Sequence, residues 1–231
     1  PGGYINLYNH GGLVHLVVDV VGFFEARNAQ DAIDQVAGPP VHVVHVVPSD
    51  RSPSYGEPEI RHVLDVAESW LEANGGRGVR FDTEGGTTEF STLRIAETAA
   101  DIASESQNPA GWWREWMTAD GFGVDDKAYI VFVDGVDTGG LCGLGGGQWA
   151  RMLTWSCGGS FTGALPRTTG TWTSLLSART TVHELLHVLG AVAPCAPNGD
   201  GQGHVNDIAD VMSTTDFTGP TGELLPGYSM L

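Results

Sequence analysis

Basic residues are scarce in this sequence: 11 Lys and Arg stand against 28 Asp and Glu, which leaves a formal net charge of −17. Proteins that bind nucleic acid or an anionic membrane surface carry clustered cations for the phosphates. The scarcity therefore argues against both partners. The excess acidity has two interpretations, a solvated surface that keeps a secreted protein soluble and a supply of calcium ligands. We favour the first, because charge runs are usually solvated.

Long apolar runs are also missing. No stretch is long and apolar enough for a membrane helix, and the chain does not open with the basic and then apolar pattern of a signal peptide. We therefore expect a mature or trimmed product with no membrane insertion.

Cysteine is sparse, at three residues in the whole chain. Cys142 and Cys157 could pair in an oxidising compartment and leave Cys195 over, or all three could be reduced thiols. No two of them have the short spacing of a zinc knuckle. Metal ligation by cysteine is therefore the less favoured hypothesis.

The N-terminal segment predicts a β-hairpin. Residues 3–22 alternate around Gly11-Gly12 and end in β-branched residues. This segment resembles the closing hairpin of a β-rich repeat of secreted actinobacterial proteins. We therefore divide the chain into a hairpin remnant of an upstream β-domain at 1–24, a linker at 25–40 and a main domain at 41–231.

Strands and helices alternate in the main domain, which predicts an α/β fold. Short apolar runs are typical of buried strands, and apolar residues at helical spacing indicate helices. The predicted elements are a strand at Val41–Val47, a helix from Pro58 to Gly75-Gly76, a strand at 79–82, a helix from Asn108-Pro109 carrying Trp112, Trp113 and Trp116, a strand at Ala128–Val133, an edge strand at 149–155 and a helix at 174–189.

The remaining segments predict irregular structure. Residues 135–147 are too rich in glycine for regular structure, and 156–173 read as a long polar loop. Two prolines and three glycines at 194–203 exclude a helix directly after the last one.

The last predicted helix contains the segment HELLHVLG at 183–190. Residues four apart share a helix face, so His183 and His187 can present two imidazoles to one ion. Glu184 lies beside the first of them, where its carboxylate can take a proton from an attacking water and return it to a leaving amine. The motif resembles the metal-binding and catalytic helix of the zincins.

The alternative is a buried helix whose histidines and glutamate are satisfied by ordinary neighbours. Four apolar residues make this an interior helix: Leu185, Leu186, Val188 and Leu189. Polar groups in such a helix are costly unless they share a partner such as a metal. We therefore favour the metal site.

A catalytic zinc usually has three protein ligands and one open position, so a third ligand is expected. Thermolysin-like zincins take a glutamate from a following helix, but the segment after Gly190 excludes that helix and the first glutamate downstream is Glu223. Metzincins turn sharply at the motif glycine and place a ligand three residues later. That position is Ala193, which cannot bind metal.

The candidates further downstream are Asp200, His204, Asp207 and Asp210. We favour His204, because imidazole is the commonest zinc ligand. Gly199, Gly201 and Gly203 also leave the loop free to fold back under the helix. The alternative for His204 is an exposed loop histidine.

Met212 stands where a metzincin has its Met-turn, although a lone methionine is often simple core filler. Asp207 and Asp210 could hold the second nitrogen of the third ligand, cap the turn, or bind calcium with Asp200 and Asn198. The sequence leaves these alternatives open.

In their order, several segments resemble a group of secreted actinobacterial zinc metallopeptidases of metzincin-like type. The resemblance covers roughly residues 41–215, and only HELLHVLG is specific by itself. The segments are 41–44, 48–51, 80–83, 127–129, 142–143, 183–192, 196–197 and 203–204.

The resemblance implies a metzincin-like α/β fold in which a twisted mixed sheet lies over two long helices and a cleft follows the edge strand. An irregular C-terminal subdomain follows the active-site helix. That group has cysteines where this chain has Val205 and Ser213. The disulfide that would staple this loop is therefore missing, and a calcium ion is the alternative that could replace it.

We expect a secreted, monomeric bacterial zinc endopeptidase whose zinc is held by His183, His187 and His204 and whose general base is Glu184. Its partner is a protein or peptide substrate. Tyr228 could stabilise an oxyanion or be an ordinary surface tyrosine.

Two rival hypotheses remain. One is a non-catalytic surface or adhesion module with a structural zinc, and the other is a zinc amidase acting on another amide, such as a peptidoglycan cross-link or a formyl group. For the second rival, Cys142 is superficially similar to the cysteine ligand of deformylases.

Overall fold

The computed structural model describes residues 40–75, 78–105, 112–123, 127–138, 142–153, 172–206 and 210–213. The predicted hairpin at 1–24 and the linker up to residue 39 lie outside the described residues, as does the predicted loop at 156–173 up to residue 171. None of the helices described has the length and apolar content needed to cross a membrane.

The described residues form strands and helices in the order β1 (Val41–Val47), α1 (Glu57–Gly75), β2 (Thr83–Glu84), β3 (Thr87–Thr88), β4 (Phe90–Arg94), α2 (Ala99–Glu105), α3 (Trp112–Ala119), β5 (Ala128–Val133), β6 (Gly143–Gly146), β7 (Trp149–Met152) and α4 (Trp172–Val188).

Five strands form one sheet in the order β4-β1-β5-β7-β6. The first four are mutually parallel, and β6 runs antiparallel to β7. The predicted α/β class with a mixed sheet is therefore confirmed, and the sheet is mostly parallel. The short strands β2 and β3 form a separate hairpin.

The central strands β1 and β5 are buried along their whole length. Alternate side chains point to opposite faces, so a strand with helices on both sides must be apolar at nearly every position. One face packs against α1 and α4, and the other packs against residues of α2 and α3. The two buried strands that these apolar runs predicted are therefore confirmed.

The two long helices lie as expected on the same face of the sheet. In α1, Ile60, Val63 and Leu64 point into the core, and Pro58 occupies the first turn, where its missing N–H costs nothing. In α4, Ala178, Val182 and Leu185 join the same core.

Gly190 ends α4. It has φ of 67°, a left-handed conformation that glycine adopts without strain. Its N–H donates to the His187 carbonyl at 3.1 Å, and the next N–H, that of Ala191, donates to the Leu186 carbonyl at 3.0 Å. This pair of bonds is the Schellman arrangement that terminates a helix. No helix follows at 194–203, as predicted.

Three predictions about elements need correction. The strand predicted at 79–82 is a single bridge between Phe81 and Val41, because the chain turns away into the β2–β3 hairpin at Gly85-Gly86. The glycine-rich segment 135–147 was predicted to be irregular, yet β6 forms inside it. Pairing with β6 also makes β7 an inner strand instead of the predicted edge. The start of the helix expected from Asn108-Pro109 lies outside the described residues, which show this helix over Trp112–Ala119.

Besides β6, four described elements had not been predicted from the sequence: the short strands β2 and β3, strand β4 and helix α2. Strand β4 reads Phe-Ser-Thr-Leu-Arg, and only Ser91 and Leu93 of it are buried, so its apolar signal is weak. Helix α2 has seven residues with Ala99 and Ile102 buried. Strand β4 and helix α2 are short, so each repeats its period only about twice and gives a weak signal.

The buried strand β1 carries two histidines on opposite faces. The Nδ1 of His42 lies 3.1 Å from a carboxylate oxygen of Asp82, and that same oxygen accepts a hydrogen bond from the Lys127 ammonium at 2.7 Å. The Nε2 of His45 lies 3.4 Å from a carboxylate oxygen of Asp134. Buried polar groups need partners of this kind, and here each histidine has a carboxylate.

Candidate metal centre

Helix α4 has one face in the core and one end at the site. The side chains of Val182 and Leu185 are buried against the sheet and α1. His183 and Glu184 are also buried, at 9% and 6% exposure, whereas His187, one turn later, is partly exposed. The helical spacing of four places both histidines on one face, at the margin of the core.

Three imidazoles converge at this margin. The Nε2 of His187 lies 3.2 Å from that of His183 and 3.0 Å from that of His204. A tetrahedral zinc with bonds of about 2.0–2.1 Å separates its ligand nitrogens by about 3.3 Å. Both distances from the His187 nitrogen are therefore close to the spacing of ligands on one ion, and the three ligand atoms all lie within 4.8 Å of one another.

The outer nitrogens of two rings face acceptors. The Nδ1 of His183 lies 2.7 Å from the carbonyl oxygen of Val211, and the Nδ1 of His204 lies 3.1 Å from a carboxylate oxygen of Asp200. Neither oxygen can donate, so each Nδ1 carries the proton. The Nε2 lone pairs are consequently left for a metal, and such outer partners fix the tautomer of metal-binding histidines.

The charge state of the rings also suits metal binding. Burial, followed by the neighbouring His183 and His204, lowers the pKa of His187 to about 4. Burial is likewise the first cause that lowers the pKa of His183. Both imidazoles are therefore neutral at pH 7, the state in which a histidine binds metal.

The side chain of Glu184, on α4, lies directly against the edge strand β6. Burial raises the pKa of its carboxyl to about 7, while a hydrogen bond from the Gly145 N–H and the charge of Arg151 oppose that rise. A carboxyl with a pKa near neutrality can both accept and return a proton at physiological pH.

The glycines of β6 allow this close approach. A Cβ built on Gly143 would lie 2.6 Å from the Glu184 side chain, and one on Gly145 would lie 2.6 Å from the Glu184 carbonyl oxygen and 2.7 Å from the His187 Cβ. No side chain fits at either position. The glycine content that suggested irregular structure is instead what lets strand and helix pack without a gap.

The segment 198–206 carries the third imidazole back to the helix. Gly201 and Gly203 have φ of 80° and 93°, and a Cβ on Gly203 would lie 3.0 Å from the His187 Nδ1. A single bridge joins Gly199 to Val205. This loop does fold back under α4, and of the four candidates Asp200, His204, Asp207 and Asp210, the structure brings His204 to the other two rings.

The remaining predicted site residues have separate places. Met212 is buried, and its N–H donates to a carboxylate oxygen of Asp210 at 2.8 Å, so Asp210 caps the turn that presents the Val211 carbonyl to His183. The backbone carbonyl of Asn198 accepts the Asn206 N–H at 2.9 Å. Asp207 and Tyr228 lie outside the described residues.

The cysteines do not join the site. Cys142 is disulfide-bonded, and Cys195 is free and exposed. The predicted partner, Cys157, lies outside the described residues, so that pairing stays a prediction. A disulfide-bonded cysteine has no thiolate to offer a metal, so the hypothesis that Cys142 is a deformylase-like ligand is wrong.

The described residues contain one further group that could hold a metal, composed of His42, Asp82 and Glu89. All three are buried, and the Lys127 ammonium already supplies a cation to Asp82. His42 belongs to the sheet face opposite α4. We interpret this group as a charge-paired part of the core.

Sequence reasoning did not identify two of the groups that build the centre. The glycines of β6 were misread, although their alternate spacing at 143 and 145 was a usable sign of one strand face lying against a close neighbour. The Val211 carbonyl is a backbone group and leaves no mark in the sequence.

No protein-family profile and no curated protein matches this chain. Among solved structures, it is similar to the archaemetzincin of Methanopyrus kandleri, with a TM-score of 0.42 and 14% identity over 75% of this chain and 81% of that one. It is also similar to a catalytically inactive OgpA of Akkermansia muciniphila in complex with an O-glycopeptide substrate, with a TM-score of 0.39 and 12% identity over 71% of this chain and 51% of that one. At these TM-scores, a function has to be supported by the chain's own residues.

Proposed function

We propose that this protein is a secreted, zinc-dependent endopeptidase. His183, His187 and His204 hold the zinc, and Glu184 is the general base. The observation that carries the proposal is the convergence of three Nε2 atoms beside a buried carboxyl group. Those of His183 and His204 lie 3.2 and 3.0 Å from that of His187. Three protein ligands and one open position are typical of catalytic zinc.

A bound zinc would supply a water of lowered pKa and polarise the carbonyl of the scissile bond. Glu184 takes the proton of the attacking water and delivers it to the leaving amine, because its carboxyl titrates near neutrality. The Gly145 N–H fixes the orientation of that carboxylate from the strand side.

The substrate would bind as an extended peptide beside β6. In the described residues, the five-stranded sheet ends at β6, and this strand also touches Glu184. A peptide added to a sheet edge gains main-chain hydrogen bonds and places its carbonyl groups at regular intervals. Calcium is not part of the proposal, because N–H donors already engage the carboxylates of Asp200 and Asp210.

The disulfide at Cys142 supports secretion, since such bonds persist in oxidising compartments. A structural zinc in a surface or adhesion module would need a fourth protein ligand. The corresponding group in the described residues has three members.

The test is the variant Glu184→Gln, which keeps the size of the side chain and removes its base. We expect cleavage of a quenched fluorescent peptide library to fall by about 10²–10⁴-fold, while zinc content, measured by plasma mass spectrometry, stays at one ion per chain. The matched control is Glu72→Gln, an exposed residue of α1 that should leave the rate unchanged. Undiminished cleavage by Glu184→Gln would show that the proposed mechanism is wrong.

A further inference from the structure

The loop that carries His204 is organised by one side chain. Asp200 accepts three N–H groups: one carboxylate oxygen takes those of Gln202 at 2.7 Å and His204 at 3.1 Å, and the other faces the His204 ring nitrogen Nδ1 at 3.1 Å. The Asp200 N–H in turn donates to the His204 carbonyl at 3.0 Å. Both the backbone and the ring of His204 are therefore tied to this residue.

This arrangement lies in the loop where the resembling metallopeptidases have a disulfide and this chain does not. At Val205 and Ser213 the chain has no cysteines, and the two segments are joined by a hydrogen bond from the Val205 N–H to the Met212 carbonyl at 3.2 Å. Asp200 also places a negative charge next to the imidazoles of His204 and His187.

We infer that Asp200 is a positioning residue that selects the Nδ1–H tautomer of His204, so that the third ligand is aligned before the metal arrives. This inference rests on the proposed zinc site, but it does not require peptidase activity. A carboxylate only accepts hydrogen bonds, so it holds the proton on Nδ1 and leaves Nε2 as a lone pair facing His187.

The informative variant is Asp200→Asn. Its amide oxygen can still accept the two backbone N–H groups, but its NH₂ then faces the ring and favours a proton on Nε2, where it blocks the metal. We expect the ¹⁵N chemical shifts of His204 in the metal-free protein to move from the Nδ1–H to the Nε2–H pattern. We also expect the affinity for Zn²⁺ alone to fall by about 10–100-fold.

Two further variants separate positioning from simple folding. Asp101→Asn removes a carboxylate that caps α2 through Thr98, far along the chain from the site, and should leave both readouts unchanged. Asp200→Ala removes every acceptor and should bind zinc no better than Asp200→Asn. If Asp200→Asn keeps the wild-type tautomer and affinity and only Asp200→Ala binds weakly, the positioning role is overturned in favour of loop folding alone. If Asp200→Asn changes the tautomer and the zinc affinity as expected but the wild-type protein cleaves no peptide, the proposed function is contradicted and this inference still stands.

Discussion

Asp134, the residue that follows β5, holds the loop before α1 to the end of the parallel sheet. Its carboxylate accepts the Ser54 N–H at 2.7 Å and a hydrogen bond from the Ser54 hydroxyl, and it faces His45 at 3.4 Å. Burial alone would raise the pKa of Asp134, but the hydrogen bonds from His45 and Ser54 outweigh it and lower the pKa. The ionised form is therefore the one that stabilises the fold.

The variant Asp134→Asn tests this at the residue scale. At pH 7 we expect a loss of about 1.5–3 kcal/mol in the free energy of unfolding, the range for hydrogen bonds to a charged group. The folded pKa lies below the unfolded value of about 3.9, so the contribution is present above that pH and lost as the pH falls through the folded pKa. In urea unfolding, the difference in the free energy of unfolding between wild type and Asp134→Asn should be smaller at pH 3 than at pH 7.

An exposed carboxylate serves as the control for this change. Asp65→Asn on α1 should shift stability by less than about 0.5 kcal/mol at either pH. A gap between wild type and Asp134→Asn that stays constant with pH would count against the role given to the ionised carboxylate.

Residue types and spacing were enough to pick out the motif on α4, because helix geometry fixes which residues share a face. His204 was reached from ligand chemistry and the flexibility of its glycines. The acceptor of the His183 Nδ1 could not be reached in this way. It is the carbonyl of Val211, 28 residues further along, and any residue type supplies a carbonyl.

At the scale of elements, β6 sets how close the sheet comes to α4. Gly143 and Gly145 face the helix, and an added Cβ at either would fall within 3 Å of Glu184 or His187 atoms. Such overpacking typically costs about 1–3 kcal/mol and moves the neighbours. The neighbours here are the proposed base and a proposed metal ligand.

We predict different losses for the two glycines. Gly143→Ala should displace the Glu184 carboxylate and lower kcat/KM for peptide cleavage by about tenfold or more, while zinc stays bound. A loss of about 1.4 kcal/mol of transition-state stabilisation lowers the rate by a factor of ten. Gly145→Ala meets backbone and the His187 Cβ, so it should also weaken zinc binding, measured by competition with a chromogenic chelator.

Gly146 provides a matched control on the same strand. A Cβ there would have nothing within 4 Å, so Gly146→Ala should keep both zinc affinity and rate. Equal effects of all three substitutions would mean that loss of glycine flexibility, and not the contact with α4, is responsible.

For the whole molecule, the core and the metal centre have separate supports. Ala178, Val182 and Leu185 anchor α4 in the core that the sheet and α1 share, and none of them is a ligand. The three imidazoles sit at the margin of that core. We therefore expect the fold to persist without metal and the metal to add stability to it.

Removal of zinc by a chelator should leave the far-ultraviolet circular dichroism spectrum nearly unchanged. Zinc added back at about 100 times its Kd should stabilise the folded state by about 2.7 kcal/mol, which raises Tm by roughly 5–10 °C for a chain of this size. His204→Ala should keep the fold and lose most of this zinc-dependent rise. Loss of the helical signal in the metal-free chain would instead show that the fold requires the metal.

The sequence by itself determined the α/β class, the two central strands, the two long helices and the pairing of His183 with His187. These follow from local periodicity, which depends only on the residues of each element. Only the tertiary structure decided that a glycine-rich segment becomes the edge strand under Glu184, that β7 lies inside the sheet, and that Asp200 and the Val211 carbonyl orient the imidazoles. Each of those depends on contacts between segments that are distant along the chain, and such contacts leave no periodic pattern in a single sequence.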